Sequence, residues 1–260
     1  MHPVLIKLGA IRIYSYGFML ALSFLVGIVL ASRRARRRGL DPDMIYDLSI
    51  VLVLAAVIGS RGLYILTHRD HFHGLLDIVA LWQGGATYYG GLVLAVAGAA
   101  VFLRRRKIPF LRVADVCAPS IAAGVFLTRI GCFLSGCCFG NPTTCSLGVE
   151  FPVRSPAGWT FPGAAIHPTQ LYASFYGLLI LAILLVLDRR MRFDGFLFAW
   201  LCILYGVARF TIDFFRYYED SAMVGGVLTI NQVLSVGLVL FGTVWLVAGA
   251  IRSRAGGQAR

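Results

Sequence analysis

Tyr205-Gly206-Val207-Ala208-Arg209-Phe210-Thr211-Ile212-Asp213-Phe214-Phe215-Arg216 carries three charges inside an otherwise apolar run, and Thr128-Arg129-Ile130-Gly131-Cys132-Phe133-Leu134-Ser135-Gly136 carries one. Both runs belong to stretches long enough to cross a bilayer. An arginine at membrane depth costs about 2.5–3.5 kcal/mol on insertion scales. A chain that keeps several has something anionic to hold there, and the anion at hand in a bilayer is a phospholipid phosphate. The rest of the sequence fits this reading. It is 58% hydrophobic and only 14% charged, against roughly 25% charged in soluble domains. An all-α, polytopic membrane protein follows.

About seven spans are expected, over residues 13–31, 45–66, 86–103, 113–134, 168–187, 195–215 and 230–251, each near the ~20 residues needed to cross hydrocarbon. The net charge of +12 is concentrated in Arg33 to Arg38, Arg104 to Lys107, Arg189 to Arg192 and the tail from Arg252. These clusters follow the first, third, fifth and seventh spans. Basic loops stay in the cytoplasm, so the N-terminus is expected outside and the C-terminus inside. One rule of topology explains all four clusters, which leaves no call for nucleic acid as a partner. The first span has its charge after the apolar run, the reverse of a cleaved signal peptide. A single transmembrane domain is expected over 1–251, with outer segments near 67–85 and 139–167 and a disordered basic tail over 252–260.

With that orientation the polar residues converge on the outer leaflet. Tyr16 opens the first span and Arg61 lies in the outer part of the second. Gly84-Gly85 and Gly90-Gly91 bracket Thr87-Tyr88-Tyr89 at the start of the third. Arg129 lies in the fourth, His167 to Tyr172 open the fifth, and Arg209, Asp213 and Arg216 climb the sixth. Tyr205, Arg209, Asp213 and Arg216 have the spacing of one helix face. Asp213 is placed to pair with both arginines, and the face carries a surplus positive charge. It serves either as a salt-bridged packing stripe or as an anion site in which the carboxylate orients one arginine. Arg129 has no acid within a turn and is either an anion ligand or a snorkelling side chain. The glycine pairs suit close approach of a ligand or of a helix. His167 is read as a structural hydrogen-bonder. His68, His71 and His73 with Asp70 do not make a convincing metal site.

Cys132, Cys137, Cys138 and Cys145 follow a C-x4-C-C-x6-C spacing that matches no zinc pattern. No metal is expected. The preferred reading is a disulfide joining Cys137 or Cys138 to Cys145, beside inert thiols and thiol chemistry as alternatives.

Several of these segments together resemble the bacterial prolipoprotein diacylglyceryl transferases. The resemblance rests on Arg129-Ile130-Gly131-x-Phe133-Leu134-x-Gly136, His167-Pro168-Thr169-Gln170-Leu171-Tyr172 and Tyr205-Gly206-x-x-Arg209-Phe210-x-x-Asp213-Phe214-Phe215-Arg216. Ile13 to Met19, Gly59-Ser60-Arg61 and Trp82-Gln83-Gly84-Gly85 add to it. The segments run in the family's order along nearly the whole chain. The resemblance implies a multi-pass protein of the bacterial inner membrane with its active site on the outer leaflet. It implies transfer of the diacylglyceryl group of phosphatidylglycerol to a thiol, that of the lipobox cysteine in a prolipoprotein signal peptide. A thioether forms and glycerol phosphate leaves, with no cofactor. Carried over by position, Arg129 and Arg209 hold the head group and act in catalysis. Tyr16, Arg61, Gly90, Gly91, Ser135, Gln170, Tyr205, Asp213 and Arg216 complete the phosphatidylglycerol site.

The chain departs from the family at informative places. Tyr89 stands where the family usually has a histidine. Cys132, Ser135 and Cys137 replace asparagine, asparagine and glutamate, Asp213 replaces glutamate, and Asn231 stands where glycine is common. A histidine titrates near neutrality, whereas a tyrosine near 10 accepts a proton poorly. Tyr89 is expected to polarise the head group or relay a proton. Two other classes stay open: a phospholipid-binding or lipid-moving protein without catalysis, and a thiol-redox membrane protein.

Overall fold

A computed structural model describes residues 3–8, 11–68, 87–218, 223–224 and 227–257. The expected segments 69–86, with Asp70, His71, His73, Trp82, Gln83 and Gly84-Gly85, lie outside the described residues. Helices dominate. A hairpin of β1 (Val4–Leu8) and β2 (Ile11–Tyr14) leads into α1 (Ser15–Arg37) and α2 (Pro42–Thr67). Next come α3 (Tyr88–Arg105) and α4 (Phe110–Ser135). A loop holds β3 (Val149–Glu150), the short α5 (Pro156–Thr160) and β4 (Ala165–Ile166), with β3 and β4 antiparallel. The chain ends with α6 (Thr169–Leu187), α7 (Phe196–Asp213), the β5 (Met223–Val224) and β6 (Leu228–Thr229) hairpin, and α8 (Ile230–Gly257).

Six helices among the described residues are long and apolar enough to cross a membrane: α1, α2, α4, α6 with its following turn, α7 and α8. The expected span 86–103 overlaps α3, which has 18 residues, ends on Arg104 and Arg105 and is not among the six. Large side chains such as Leu54, Ile58 and Val93 are mostly exposed. That is untenable in water over so broad a surface and natural against lipid. The tail expected to be disordered instead continues α8 as far as Gly257.

By contact the chain forms two compact units, Ser32–Val113 and the pair Met1–Ala31 with Ala114–Arg260. In the first, α2 and α3 run antiparallel. Arg106 Nη2 meets Asp47 Oδ2 at 2.5 Å, and Arg112 Nη2 donates to the Arg38 carbonyl at 3.3 Å. The basic stretches 33–38 and 104–107 therefore share one end of this unit. At the other end Gly59 and Gly90 face each other, each lying where a Cβ on its partner would strike backbone, and Thr87 Oγ1 donates to the Ser60 carbonyl at 3.0 Å.

The larger unit packs α4, α6 and α7 around Ala118, Ala122, Ile180, Leu184, Leu197 and Leu201. Gly195, at φ +90°, turns the chain into α7. The fully buried Asp115 of α4 accepts from Gly195 N at 2.7 Å and Phe198 N at 2.8 Å, satisfying donors that a helix start leaves open. Trp245 Nε1 donates to the Asp194 carbonyl at 3.3 Å. The starts of α4 and α7 and the later turns of α8 thus lie at one end, with Arg189 to Arg192 close in sequence. Arg129 and Arg209 lie in the last turns of α4 and α7, at the opposite end.

Candidate active site

The last two turns of α4 lie against the start of α1. Gly131 makes this approach possible, since a Cβ there would sit 2.8 Å from Met19 Cβ and 3.4 Å from Tyr16 Cα. Tyr16 thereby stands beside the Arg129 segment, and is 41% exposed. After Ser135 the chain leaves the helix through Gly136 at φ +70° and reverses at Cys138, whose φ of +61° is unusual for a side chain of that type. Two side chains from the start of α6 pin this reversal. Gln170 Nε2 donates to the Cys137 carbonyl at 2.8 Å and Thr169 Oγ1 to the Cys138 carbonyl at 3.0 Å. Gln170 is almost fully buried, and its Oε1 has no hydrogen-bond partner among the described residues.

The expected disulfide is absent. Cys137, Cys138 and Cys145 all carry free thiols. The turn that brings Cys137 and Cys138 back toward α4 leaves Cys145 exposed in the loop. The sulfur atoms of Cys132, Cys137 and Cys138 instead lie within 4.8 Å of one another. Hydrogen bonds from the Cys132 and Cys137 thiols, helped by the guanidinium groups of Arg216 and Arg129, hold Cys138 below the ordinary thiol range. Interactions with the Cys132 and Cys138 thiols push Cys137 above it.

α7 ends at Asp213, so the expected four-residue stripe is not one helix face throughout. Arg216 lies beyond the helix, in an isolated bridge with Gly140. Asn141 N donates to the Phe215 carbonyl at 2.9 Å and Tyr217 N to the Phe139 carbonyl at 3.2 Å, so the outer loop carries Arg216 into place. Two consecutive phenylalanines, Phe214 and Phe215, gave no sign of the break. Nor does Asp213 serve both arginines. One of its oxygens accepts from Arg209 and from Tyr218 at 2.8 Å, the other from Thr229 Oγ1 at 2.7 Å. Arg209 Nη2 also donates to Tyr218 Oη at 2.7 Å. Burial lifts the Tyr218 phenol above its usual value, which keeps it a donor to the carboxylate at neutral pH. Its ring lies 5.1 Å below the Arg216 guanidinium. Thr229 opens α8 in a capping box, with Thr229 N to Gln232 Oε1 at 2.9 Å and Gln232 N to Thr229 Oγ1 at 3.0 Å.

Arg129, Arg209, Arg216, Tyr176, Thr169 and Cys138 converge on one partly open space, too tight in this structure to admit a water molecule. Among the described residues only Arg209 of the three arginines lies within ion-pair distance of a carboxylate. The Tyr176 hydroxyl and Arg216 Nε are buried without a hydrogen-bond partner. Buried donors left open in this way carry a penalty of about 1–3 kcal/mol each, and an anion entering as these side chains part would relieve it. Tyr205 packs edge-on against Tyr176, ring centroids 6.1 Å apart. Ser135 ends α4 just before the thiol turn. His167 Nδ1 lies 3.3 Å from Tyr172 Oη, the structural role expected of it.

Arg61, Tyr89, Gly90 and Gly91 belong to the smaller unit. Arg61 is buried, with its guanidinium 5.8 Å from the Tyr64 ring centroid. Tyr89 is partly exposed, edge-on to Tyr88. Gly90 and Gly91 pack α3 closely on α2, a Cβ at Gly91 falling 3.0 Å from the Ala56 carbonyl oxygen. His68 stacks on Tyr64 and bonds Thr67. Tyr176, Tyr218, Thr229 and Asp115 escaped the sequence reading. Thr229-x-x-Gln232 is a capping signature visible in sequence, and Tyr176 is a polar tip inside an apolar span.

The model of the family described as prolipoprotein diacylglyceryl transferase matches residues 3–248. The chain belongs to this family. A phosphatidylglycerol–prolipoprotein diacylglyceryl transferase of Geobacillus kaustophilus is 36% identical over 251 residues, covering 95% of this chain and 92% of that protein. The protein of the same name from Clostridium tetani is 31% identical over 242 residues, covering 93% and 95%. That from a Nostoc species is 33% identical over 254 residues, covering 94% and 89%. Membership of the transferase family gives the arginine-lined space a chemistry to be tested against.

Proposed function

We propose that this chain transfers the diacylglyceryl group of phosphatidylglycerol to the lipobox cysteine thiol of prolipoproteins. The observation that carries the reading is the space bordered by Arg129, Arg209 and Arg216, with one carboxylate among the described residues to balance them. The substrate phosphate is a diester bearing one negative charge. When its glyceryl carbon is attacked by sulfur, the carbon–oxygen bond breaks and glycerol phosphate departs with a second charge. Guanidinium forks bind such oxygens in pairs and stabilise the charge as it grows. Arg129 and Arg209 are assigned to this work, with Arg216 and the Tyr176 hydroxyl as further donors. Asp213 is assigned to orienting Arg209, and Tyr16 and Tyr205 to the border of the site.

Tyr89 and Arg61 are assigned to the head group, and Tyr89 to proton relay, on the family pattern alone. Residues 1–251 are taken as one catalytic domain, because the family match spans both units. The site is assigned to the outer leaflet of the bacterial inner membrane. The support is that the basic stretches lie at the end of each unit away from the glycine pair and from the arginines.

Purified protein mixed with phosphatidylglycerol and a lipobox peptide should yield a peptide heavier by one diacylglyceryl group, and free glycerol phosphate. Phosphatidylglycerol that binds without reaction would instead support the phospholipid-binding reading.

A further inference from the structure

We propose that Cys132, Cys137 and Cys138 form a binding site for a thiophilic d10 cation of the zinc class, whose fourth position takes the acceptor thiol. The second half of this statement rests on the transferase reading; the first does not.

The three sulfur atoms lie within 4.8 Å of one another. Sulfur ligands about 2.3 Å from a tetrahedral zinc ion are separated by roughly 3.8 Å, so the trio needs to close by an ångström or less. Its placement is built rather than accidental. One thiol comes from the last turn of α4, and two come from adjacent residues of a reversal with left-handed backbone at Gly136 and Cys138. Gln170 and Thr169 fix the carbonyls of Cys137 and Cys138, the kind of outer support that orients ligands at metal centres. Cys137 Sγ also points back at the Cys132 carbonyl, at 3.8 Å.

Two features select the ion. Three sulfur donors with no carboxylate or imidazole favour soft cations over magnesium or calcium. A divalent ion with three thiolates carries one net negative charge, which the Arg129 and Arg216 guanidiniums, bordering the same space as Cys138, offset. Three protein ligands leave a tetrahedral ion one open position, the pattern of reactive rather than structural zinc.

Cys138 borders the arginine-lined space, so the open position adjoins the place assigned to the phosphate. A thiol that coordinates there loses its proton outright, and the proton passes to water. The metal-bound sulfur then supplies the electron pair for the new carbon–sulfur bond, while the carbon–oxygen pair leaves on glycerol phosphate. No oxidant or reductant is needed. The scheme also supplies thiolate at neutral pH without a general base, in a chain that has tyrosine at position 89.

The test uses full-length protein kept reduced in detergent, treated with chelator and titrated with cobalt(II), then zinc(II), before any lipid is added. One cobalt per chain is expected, with intense sulfur-to-cobalt absorption in the near ultraviolet that zinc abolishes. Adding a lipobox peptide should shift the visible cobalt bands; the peptide with serine in place of its cysteine should not. Cys137→Ser and Cys138→Ser should weaken binding by roughly 100-fold or more, the scale on which even outer-shell losses reach 10–100-fold. Cys145→Ser, exposed and outside the trio, should bind as wild type. Absence of sulfur-to-cobalt absorption in reduced wild-type protein overturns the site. Cobalt bands indifferent to the peptide overturn the acceptor-thiol step. Cobalt and peptide binding in protein that transfers nothing from phosphatidylglycerol would count against the transferase reading and leave the metal site standing.

Discussion

Arg129 and Arg209 meet the phosphate site differently, and substitutions should separate them. Arg129 approaches from α4 without a carboxylate, so its two-toothed grip is its whole contribution. Arg129→Ala should lower transfer by about 10²–10³-fold, the scale for removing one donor to developing charge. Arg129→Lys should recover little, because an ammonium cannot make the paired contact; turnover near wild type in the lysine variant would remove the bidentate assignment. Arg209 is held by Asp213 and Tyr218 together. Tyr218→Phe keeps the ring under Arg216 but deletes the hydroxyl shared by Arg209 and Asp213. Hydrogen bonds to charged groups contribute about 1.5–3 kcal/mol, so a loss of roughly tenfold or more in kcat with KM little changed is expected. A KM effect alone would mean Tyr218 shapes the pocket and does not aim the arginine. At position 89 the hydroxyl is assigned to proton relay, and a working general base contributes about 10²–10⁴-fold. Tyr89→Phe therefore discriminates sharply: a change below tenfold, with an unmoved pH–rate profile, removes Tyr89 from the proton path.

The helices of the larger unit owe their registry to a few polar bonds that carry no charge pattern in the sequence. Asp115 reaches from α4 to the first amides of α7, fixing the helix whose far end bears Arg209. Asp115→Ala strips two acceptors from buried donors. It should destabilise the protein by about 2 kcal/mol, the upper range for losing an N-cap, read as a fall in melting temperature in detergent. Asp115→Asn should recover part of it. Such bonds explain what was legible and what was not. Apolar runs read by length located six of the seven expected spans, since the thickness of the hydrocarbon is imposed directly on sequence. Arg129, Arg209 and Asp213 were found because charge in such a run is conspicuous. Arg216 was placed on the α7 helix because Phe214 and Phe215 continue the apolar run; the bridge to Gly140 that ends the helix depends on a loop distant in sequence. The disulfide was misread for the same reason. Spacing cannot register that positive φ at Cys138 turns two thiols toward Cys132 and away from Cys145. Asp115, at the start of the expected span 113–134, carries no sequence pattern that points to Gly195, 80 residues away.

The whole molecule must place the arginine-lined space against one face of the membrane, and its charge pattern predicts which. In the smaller unit Arg38, Asp47, Arg106 and Arg112 gather at one end. In the larger unit the start of α7 and the later turns of α8 gather at the end that adjoins Arg189 to Arg192 and Arg252, opposite Arg129 and Arg209. Basic ends are retained in the cytoplasm because insertion leaves lysine and arginine on that side. The two units thus give the same polarity by separate contacts, without reference to one another. The expected orientation also needs an odd number of crossings, so α3, shorter than its neighbours and ending in two arginines, must span as well as the six longer helices. Reporter fusions after Arg38, Arg106, Arg192 and at the C-terminus should show cytoplasmic activity. Fusions at Pro156 and Met223 should show external activity. The decisive pair flanks α3: an external tag near His68 with a cytoplasmic one after Arg106 makes it a seventh span. The same side for both would leave six crossings and put the two termini on one face. The arginine-lined space and the tail after α8 would then no longer follow from a single rule, and the outer-leaflet assignment would fall with it.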